Sequence, residues 1–352
     1  MIDLRPVGYV IGLLLVTLGA MMVFPMALDY ASGNDNWMAF FEAAIVTATV
    51  GGMLALSCAN AARGGKGITL RQSFVLTTAT WVALPVFGAL PFMFGEPDAS
   101  ATNAIFEAVS GVTTTGTTVF SGLDDLPPGT NLWRAILQWL GGLGIVIVAM
   151  IFLPVMKVGG MQFFRSEGFD TLGKILPRAF DIAAALIRVY IMLTVASALS
   201  YFALGMSGFD AVVHALTTVS TGGFSNSDIS FAKFDSNMEL VAIVFMLLAS
   251  MPFIRFVQAT QGSFRPLWQD PQVRAYLRWN CYGIAAVVIY EMVHLDRPFW
   301  ETLRESSFNI VSTFSGTGFA SVDLSTWGPF PFVVLIAVGL IGQDGDEVEE
   351  TT

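Results

Sequence analysis

Three clusters of threonine, serine and glycine interrupt an apolar chain. They are Thr113-Thr114-Thr115-Gly116-Thr117-Thr118, Ser220-Thr221-Gly222-Gly223-Phe224 and Ser315-Gly316-Thr317-Gly318-Phe319. Their Thr-Gly pairs, Thr115-Gly116, Thr221-Gly222 and Thr317-Gly318, recur roughly a hundred residues apart, the mark of an internal repeat. Glycine reaches backbone conformations closed to other residues. Carbonyl oxygens bared by such turns can replace the hydration shell of a cation, and Thr and Ser hydroxyls add neutral oxygen ligands. The task is large: taking an ion from water into a low-dielectric medium costs on the order of 20 kcal/mol in the idealised Born limit. Dispersed apolar packing cannot offset that, whereas a ring of carbonyl dipoles can. No ring of carboxylates accompanies the clusters. The chemistry therefore fits a monovalent alkali cation better than calcium or magnesium, which recruit carboxylates.

The elements that position these clusters follow from composition. Of 352 residues, 54% are apolar and 12% charged, against about 25% charged in a soluble domain. Such a chain cannot coat a water-soluble globule, and it reads as an integral membrane protein. Seven segments are long enough to span a bilayer: 7–28, 37–60, 72–94, 132–156, 178–205, 237–257 and 274–294, with a shorter eighth at 328–341. The first is too long for the apolar core of a signal peptide. The net charge of −10 argues against a nucleic-acid partner, and Cys58 and Cys281 form no disulfide framework.

With the N-terminus inside, the cytoplasmic face receives Arg5, Arg63, Lys66, Arg71, Lys157, Arg165, Lys174, Arg178, Arg255, Arg265, Arg274 and Arg278. Lys233, Arg297 and Arg304 fall outside, with Arg134 near an outer helix edge, a strong positive-inside bias. The outer face is acidic. It carries Asp29, Asp35, Glu96, Asp98, Asp124, Asp125, Asp210, Asp228, Asp235, Glu239, Asp296, Glu301, Glu305 and Asp323, read either as a solvated surface or as a vestibule that concentrates cations.

Stretches 102–121, 210–226 and 299–321 lie on that outer side, and each opens with an apolar run too short to span. Each reads as a re-entrant helix that ends in a Thr/Ser/Gly turn. Irregular backbone at membrane depth persists only where protein or a wet cavity surrounds it. A helix entering from outside also aims its negative C-terminal end at the cavity. The fold class is thus all-α integral membrane: helix, re-entrant pore loop and helix, repeated after an extra N-terminal helix pair.

Other chemistry finds less support. His214 and His294 have no metal-ligand neighbours in sequence. Gly64-Gly65-Lys66-Gly67 lacks the spacing of a phosphate-binding loop. Gly142-Leu143-Gly144 reads as a helix-packing site. Arg188 is an intramembrane charge, a candidate for the pore or for pairing with Asp181. Glu107, Ser110 and Asp124 are further pore or outer-mouth candidates, Glu107 either orienting the filter backbone or facing outer water. No catalytic constellation is present, so an enzyme is not expected.

Ser110-Gly111-Val112-Thr113-Thr114-Thr115-Gly116, Ser220-Thr221-Gly222-Gly223-Phe224, and Trp133-Arg134 followed by Gln138-Trp139-Leu140-Gly141-Gly142-Leu143-Gly144-Ile145 together resemble the Trk/Ktr/HKT potassium transporter superfamily, and most closely its bacterial TrkH-type members. The resemblance covers nearly all of residues 1–342. It implies four pore repeats around a pseudo-fourfold axis, of which this sequence carries three, with one filter glycine per loop at Gly116, Gly222 and Gly318. It also implies a homodimer and a cytosolic nucleotide-binding regulatory subunit. The expected ion ligands are Thr115, Gly116, Thr117, Thr221, Gly222, Gly223, Thr317, Gly318 and Phe319, with K⁺ at the Thr-Gly pairs. No cofactor other than the transported ion is expected.

The expected organisation is 1–66 as a helix pair, 67–157, 158–265 and 266–342 as three repeats, and 343–352 as an acidic tail. The last helix of the third repeat is short, and five carboxylates follow it, which reads as a frameshift, premature stop, gene-model error or split gene. The expected function is potassium uptake across the cytoplasmic membrane, passive or coupled to protons or sodium. The alternative is a non-conducting fragment, or one part of a split transporter that needs another chain.

Overall fold

Apolar runs broken by proline, glycine and serine fold into helices throughout the described residues, and those residues contain no strand. The structure is a computed structural model describing residues 3–62, 69–156, 175–260 and 262–343. Arg63, Lys66, Lys157, Arg165, Lys174, the Gly64-Gly65-Lys66-Gly67 stretch and the tail after Gln343 lie outside the described residues, as do the side chains of Arg178 and Asp181. The chain divides into two compact units. One comprises Met1–Thr113 and Thr117–Ala184, the other Thr114–Gly116 and Ala185–Thr352.

In the first unit, α1 (Arg5–Met21) and α2 (Val23–Ser32) form one 28-residue apolar path, and α3 (Trp37–Ala62) returns beside it. Glycines bring α1 and α3 together: a Cβ on Gly12 would fall within 2.6 Å of the Gly51 carbonyl, the close backbone approach that small residues allow between membrane helices. α4 (Leu70–Gly88) opens on a Thr69 capping box completed by Gln72. It contains Pro85, stops at Gly88 and continues as α5 (Leu90–Phe94). α6 (Ala101–Val112) is the first re-entrant helix, and α7 (Pro128–Met156) follows.

The second unit contains α8 (Ile175–Ala203) from Ala185 onward, then the second re-entrant helix α9 (Gly208–Val219). α10 (Ser236–Ala249) and α11 (Phe253–Thr260) follow, then α12 (Arg265–Gln269) and α13 (Pro271–His294). The third re-entrant helix is α14 (Phe299–Phe314), and α15 (Pro329–Gln343) comes after it. Two apolar clusters hold this unit. One gathers Tyr201, Phe231, Met238, Met246, Phe308 and Phe319; the other gathers Val287, Ile310, Phe314, Trp327, Leu335 and Val338.

Among the described residues, four helical paths are long and apolar enough to cross a membrane, or five if a bent pair is one span: Arg5–Ser32, Trp37–Asn60, Arg71–Phe94 and Ala183–Ala203, with Ser236–Ala249 plus Phe253–Thr260 as the bent pair. Leu56, Val293 and Leu340 present exposed apolar side chains, as lipid-facing residues do. The expected span at 237–257 is bent. α10 and α11 meet at 93°, because Pro252 lacks an amide hydrogen and biases Met251 out of helical geometry.

Candidate functional site

The three re-entrant helices share a design. Short apolar runs made them legible as helices, and serine caps start two of them: Ser100 accepts from the Asn103 amide and Ser207 from the Asp210 amide. Their last helical residues are Val112, Val219 and Phe314, followed by Thr113, Ser220 and Ser315. The next residue turns left-handed in each case: Thr114 at φ 56°, Thr221 at 50° and Gly316 at 75°. Two residues later a glycine does so again: Gly116 at 80°, Gly223 at 72° and Gly318 at 79°. Two left-handed residues separated by one are the signature of all three turns.

This register differs from that of the Thr-Gly pairs. Gly116 and Gly318 are matched by Gly223, and Gly222 occupies the intervening place held elsewhere by Thr115 and Thr317. Hydrogen bonding agrees: the Gly223 amide donates to Thr217 at 3.4 Å and the Gly318 amide to Ser312 at 3.1 Å, each carbonyl lying six residues earlier. In this geometry Thr221-Gly222 stands one residue out of step with Thr115-Gly116 and Thr317-Gly318.

The second and third turns meet. A Cβ on Gly223 would collide with the Thr317 carbonyl oxygen, so that position admits only glycine for space as well as for φ. Further out, the Phe231 amide donates to the Ala320 carbonyl at 3.0 Å. Residues Thr114–Gly116 of the first turn belong to the same compact unit as these two turns.

The expected oxygen donors divide by role. The Thr221 hydroxyl donates to the Ser220 carbonyl at 2.8 Å, and the Thr317 hydroxyl pairs with Ser315 at 2.8 Å. Both hydroxyls are engaged within their own turns. Phe319 places its ring in the apolar core, and its carbonyl accepts from Ser312 at 2.8 Å. Thr115 and Thr117 are exposed, and Thr317 is buried. Ser110 is buried behind the first turn, Asp124 is exposed, and Arg188 lies on an exposed face of α8.

Glu107 faces no outer water. It is fully buried, and its carboxylate accepts from Arg134 Nε at 2.8 Å, the Thr118 hydroxyl at 2.8 Å and the Val119 amide at 3.0 Å. The adjacent Trp133 donates to the Gly88 carbonyl at 2.8 Å, filling an acceptor left open at the α4–α5 break. The expected packing role of the next glycines falls on Gly141, where a Cβ would strike the Val112 carbonyl; a Cβ on Gly144 would meet nothing.

The acidic outer residues are not all solvated. Asp29, Glu239 and Glu305 are buried. Asp29 accepts from Asn36 at 2.9 Å and from the Gly129 amide at 2.5 Å, fixing α2 to the start of α7. Arg297 pairs with Glu305 at 2.7 Å and Glu291 at 3.3 Å. Burial opposes the charge on Arg297, but the Glu305, Glu291 and Glu301 carboxylates hold its guanidinium above the ordinary range. Sequence alone gave these acids no partners. Among the described residues, no group of His, Cys, Asp and Glu could hold a metal ion.

Three comparisons agree with this architecture. Residues 36–345 match the family TrkH, described as cation transport protein. The chain belongs to the TrkH family. It is therefore one of a family of transporters and not of enzymes. It is 37% identical over 340 residues to the Trk system potassium uptake protein TrkI of Halomonas elongata, covering 96% of this chain and 68% of that protein. It is 33% identical over 347 residues to the Trk system potassium uptake protein TrkH of Escherichia coli K12, covering 96% and 71%. Among solved structures, the potassium transporter TrkH from Vibrio parahaemolyticus superposes with a TM-score of 0.86 at 29% identity, covering 96% of this chain and 70% of that one.

Proposed function

We propose that this chain conducts potassium into the cell across the cytoplasmic membrane, through a filter of main-chain oxygens. The observation that carries the reading is the contact of two like turns: Gly223 lies against the Thr317 carbonyl, each turn ending a helix that stops short of spanning. Helix C-terminal ends lend negative potential there, and left-handed glycines set the carbonyl directions. The filter glycines are Gly116, Gly223 and Gly318, and Thr115, Gly222 and Thr317 supply the carbonyls between them. Potassium is cargo, and no resident cofactor is required.

The pore units are residues 67–157, 158–265 and 266–342, beside an accessory pair at 1–66 and an acidic tail at 343–352. The N-terminus faces the cytoplasm. The chain pairs with a second copy, and its cytoplasmic face receives a nucleotide-binding regulatory subunit. The test is potassium uptake by cells that lack their own uptake systems and express this chain. Growth at low external potassium, with rubidium tracer entry above the empty-vector level, is expected. Entry at the vector level, with the chain present in the membrane, would contradict the reading.

A further inference from the structure

Counting back five residues from the end of each re-entrant helix gives Glu107, His214 and Asn309. All three are buried and polar. All three reach across the turn to the segment that leaves it, gripping residues two or three places past the left-handed glycine. Glu107 accepts from the Thr118 hydroxyl and the Val119 amide. His214 Nε2 meets the Ser225 hydroxyl at 3.1 Å. Its Nδ1 faces the Asp210 carbonyl at 2.8 Å, an acceptor, so in the neutral ring Nδ1 donates and Nε2 accepts from Ser225. Asn309 uses both ends of its amide, accepting from the Ser321 amide at 3.3 Å and donating to the Ser321 hydroxyl at 3.1 Å.

One position therefore carries one task with three chemistries: a carboxylate, an imidazole and a carboxamide. Each links the helix entering a turn to the segment leaving it, and so limits how far the turn can widen. The first brace is reinforced, because Arg134 donates to Glu107 and also, at 3.1 Å, to Thr118. The other two are neutral.

We propose that Glu107, His214 and Asn309 are positioning residues for ion discrimination, setting the spread of the three turns from behind. This inference rests on the filter reading above. A filter tells potassium from sodium by holding its oxygens where the smaller ion is poorly served, and a slack turn forfeits that difference.

The test uses variants that cut a brace without stranding a charge. Thr118→Val removes the bridging hydroxyl, with its bonds to Glu107, Arg134 and the Phe120 amide, but leaves the Glu107–Arg134 pair and the Val119 contact. Asn309→Ala removes the third brace, and Thr118→Ser is the conservative control. Potassium and sodium uptake are measured per amount of chain in the membrane. The K⁺/Na⁺ ratio is expected to fall roughly tenfold in Thr118→Val and Asn309→Ala, the scale of one lost hydrogen bond, and to be retained in Thr118→Ser. An unchanged ratio in both cut variants would overturn the proposal, as would loss of both from the membrane, which would assign the braces to folding alone. Gly116→Ala, measured alongside, separates the two levels. If it lowers the ratio and the cut braces do not, the positioning inference alone falls; if it too leaves the ratio unchanged, the filter reading falls.

Discussion

At the scale of single residues, the account turns on which glycine of the second turn is equivalent to Gly116 and Gly318. Gly223 has positive φ and no room for a side chain, whereas Gly222 is not among the left-handed residues. Gly223→Ala is expected to abolish K⁺/Na⁺ discrimination or accumulation of the chain, and Gly222→Ala to have the milder effect of the two. Equal effects in paired uptake assays would argue for the Thr-Gly register instead. The buried Glu107–Arg134 pair gives a second expectation. Removing one partner strands the other charge, so Arg134→Ala should destabilise the detergent-solubilised chain by about 3–5 kcal/mol, read by thermal unfolding; a negligible shift would show the pair to be dispensable. Residue identities told much of this story in advance: the three clusters, Glu107 and Trp133-Arg134 all drew notice in sequence. What sequence did not provide was the φ register, because a dipeptide does not state its own dihedral angles.

At the scale of elements, local signals and tertiary contacts divide the work. Ser100 and Ser207 mark helix starts through side-chain caps that a sequence reader can see. The ends of the first and third re-entrant helices each lie against a partner glycine. Gly141 of α7 lies against the carbonyl of Val112, and Gly342 of α15 lies against the carbonyl of Phe314. Those carbonyls belong to the last residues of the first and third re-entrant helices, so the two repeats seat them in the same way. Gly141→Ala must push α6 and α7 apart and is expected to cost about 1–3 kcal/mol, the usual scale of overpacking, with a lower melting temperature as its measure. No shift would mean that α7 gives way freely at this point. The 93° bend at Ser250–Pro252 was missed at the sequence level because hydropathy runs smoothly from 237 to 257. Proline was the available signal, and proline within a membrane helix often leaves it nearly straight.

For the whole molecule, composition sufficed to place the chain in a membrane, and its basic residues suggest an orientation. Single cysteines introduced at Asp124 and Arg265, in a background lacking Cys58 and Cys281, test it. A membrane-impermeant thiol reagent added to intact cells should label the Asp124 position and spare the Arg265 position; the reverse pattern would invert the topology. The outer acids proved less legible. Asp29, Glu239 and Glu305 look like surface charges in sequence, yet they are buried against Asn36 and the Gly129 amide, Arg304, and Arg297 respectively. The Gly129 and Arg304 partners lie far along the chain, and Asn36 and Arg297 stand seven and eight residues from their acids, so the i,i+4 spacing of a helix marks none of them.

The central claim, that main-chain oxygens of the three turns bind an alkali ion, has a direct measurement. Crystals of the chain grown in rubidium or thallium salts, recorded at the absorption edge of the heavy ion, should give an anomalous peak among the carbonyl oxygens of Thr115–Gly116, Gly222–Gly223 and Thr317–Gly318. A map in which that point is empty, while the ion sits at carboxylates or nowhere on the protein, would contradict the account.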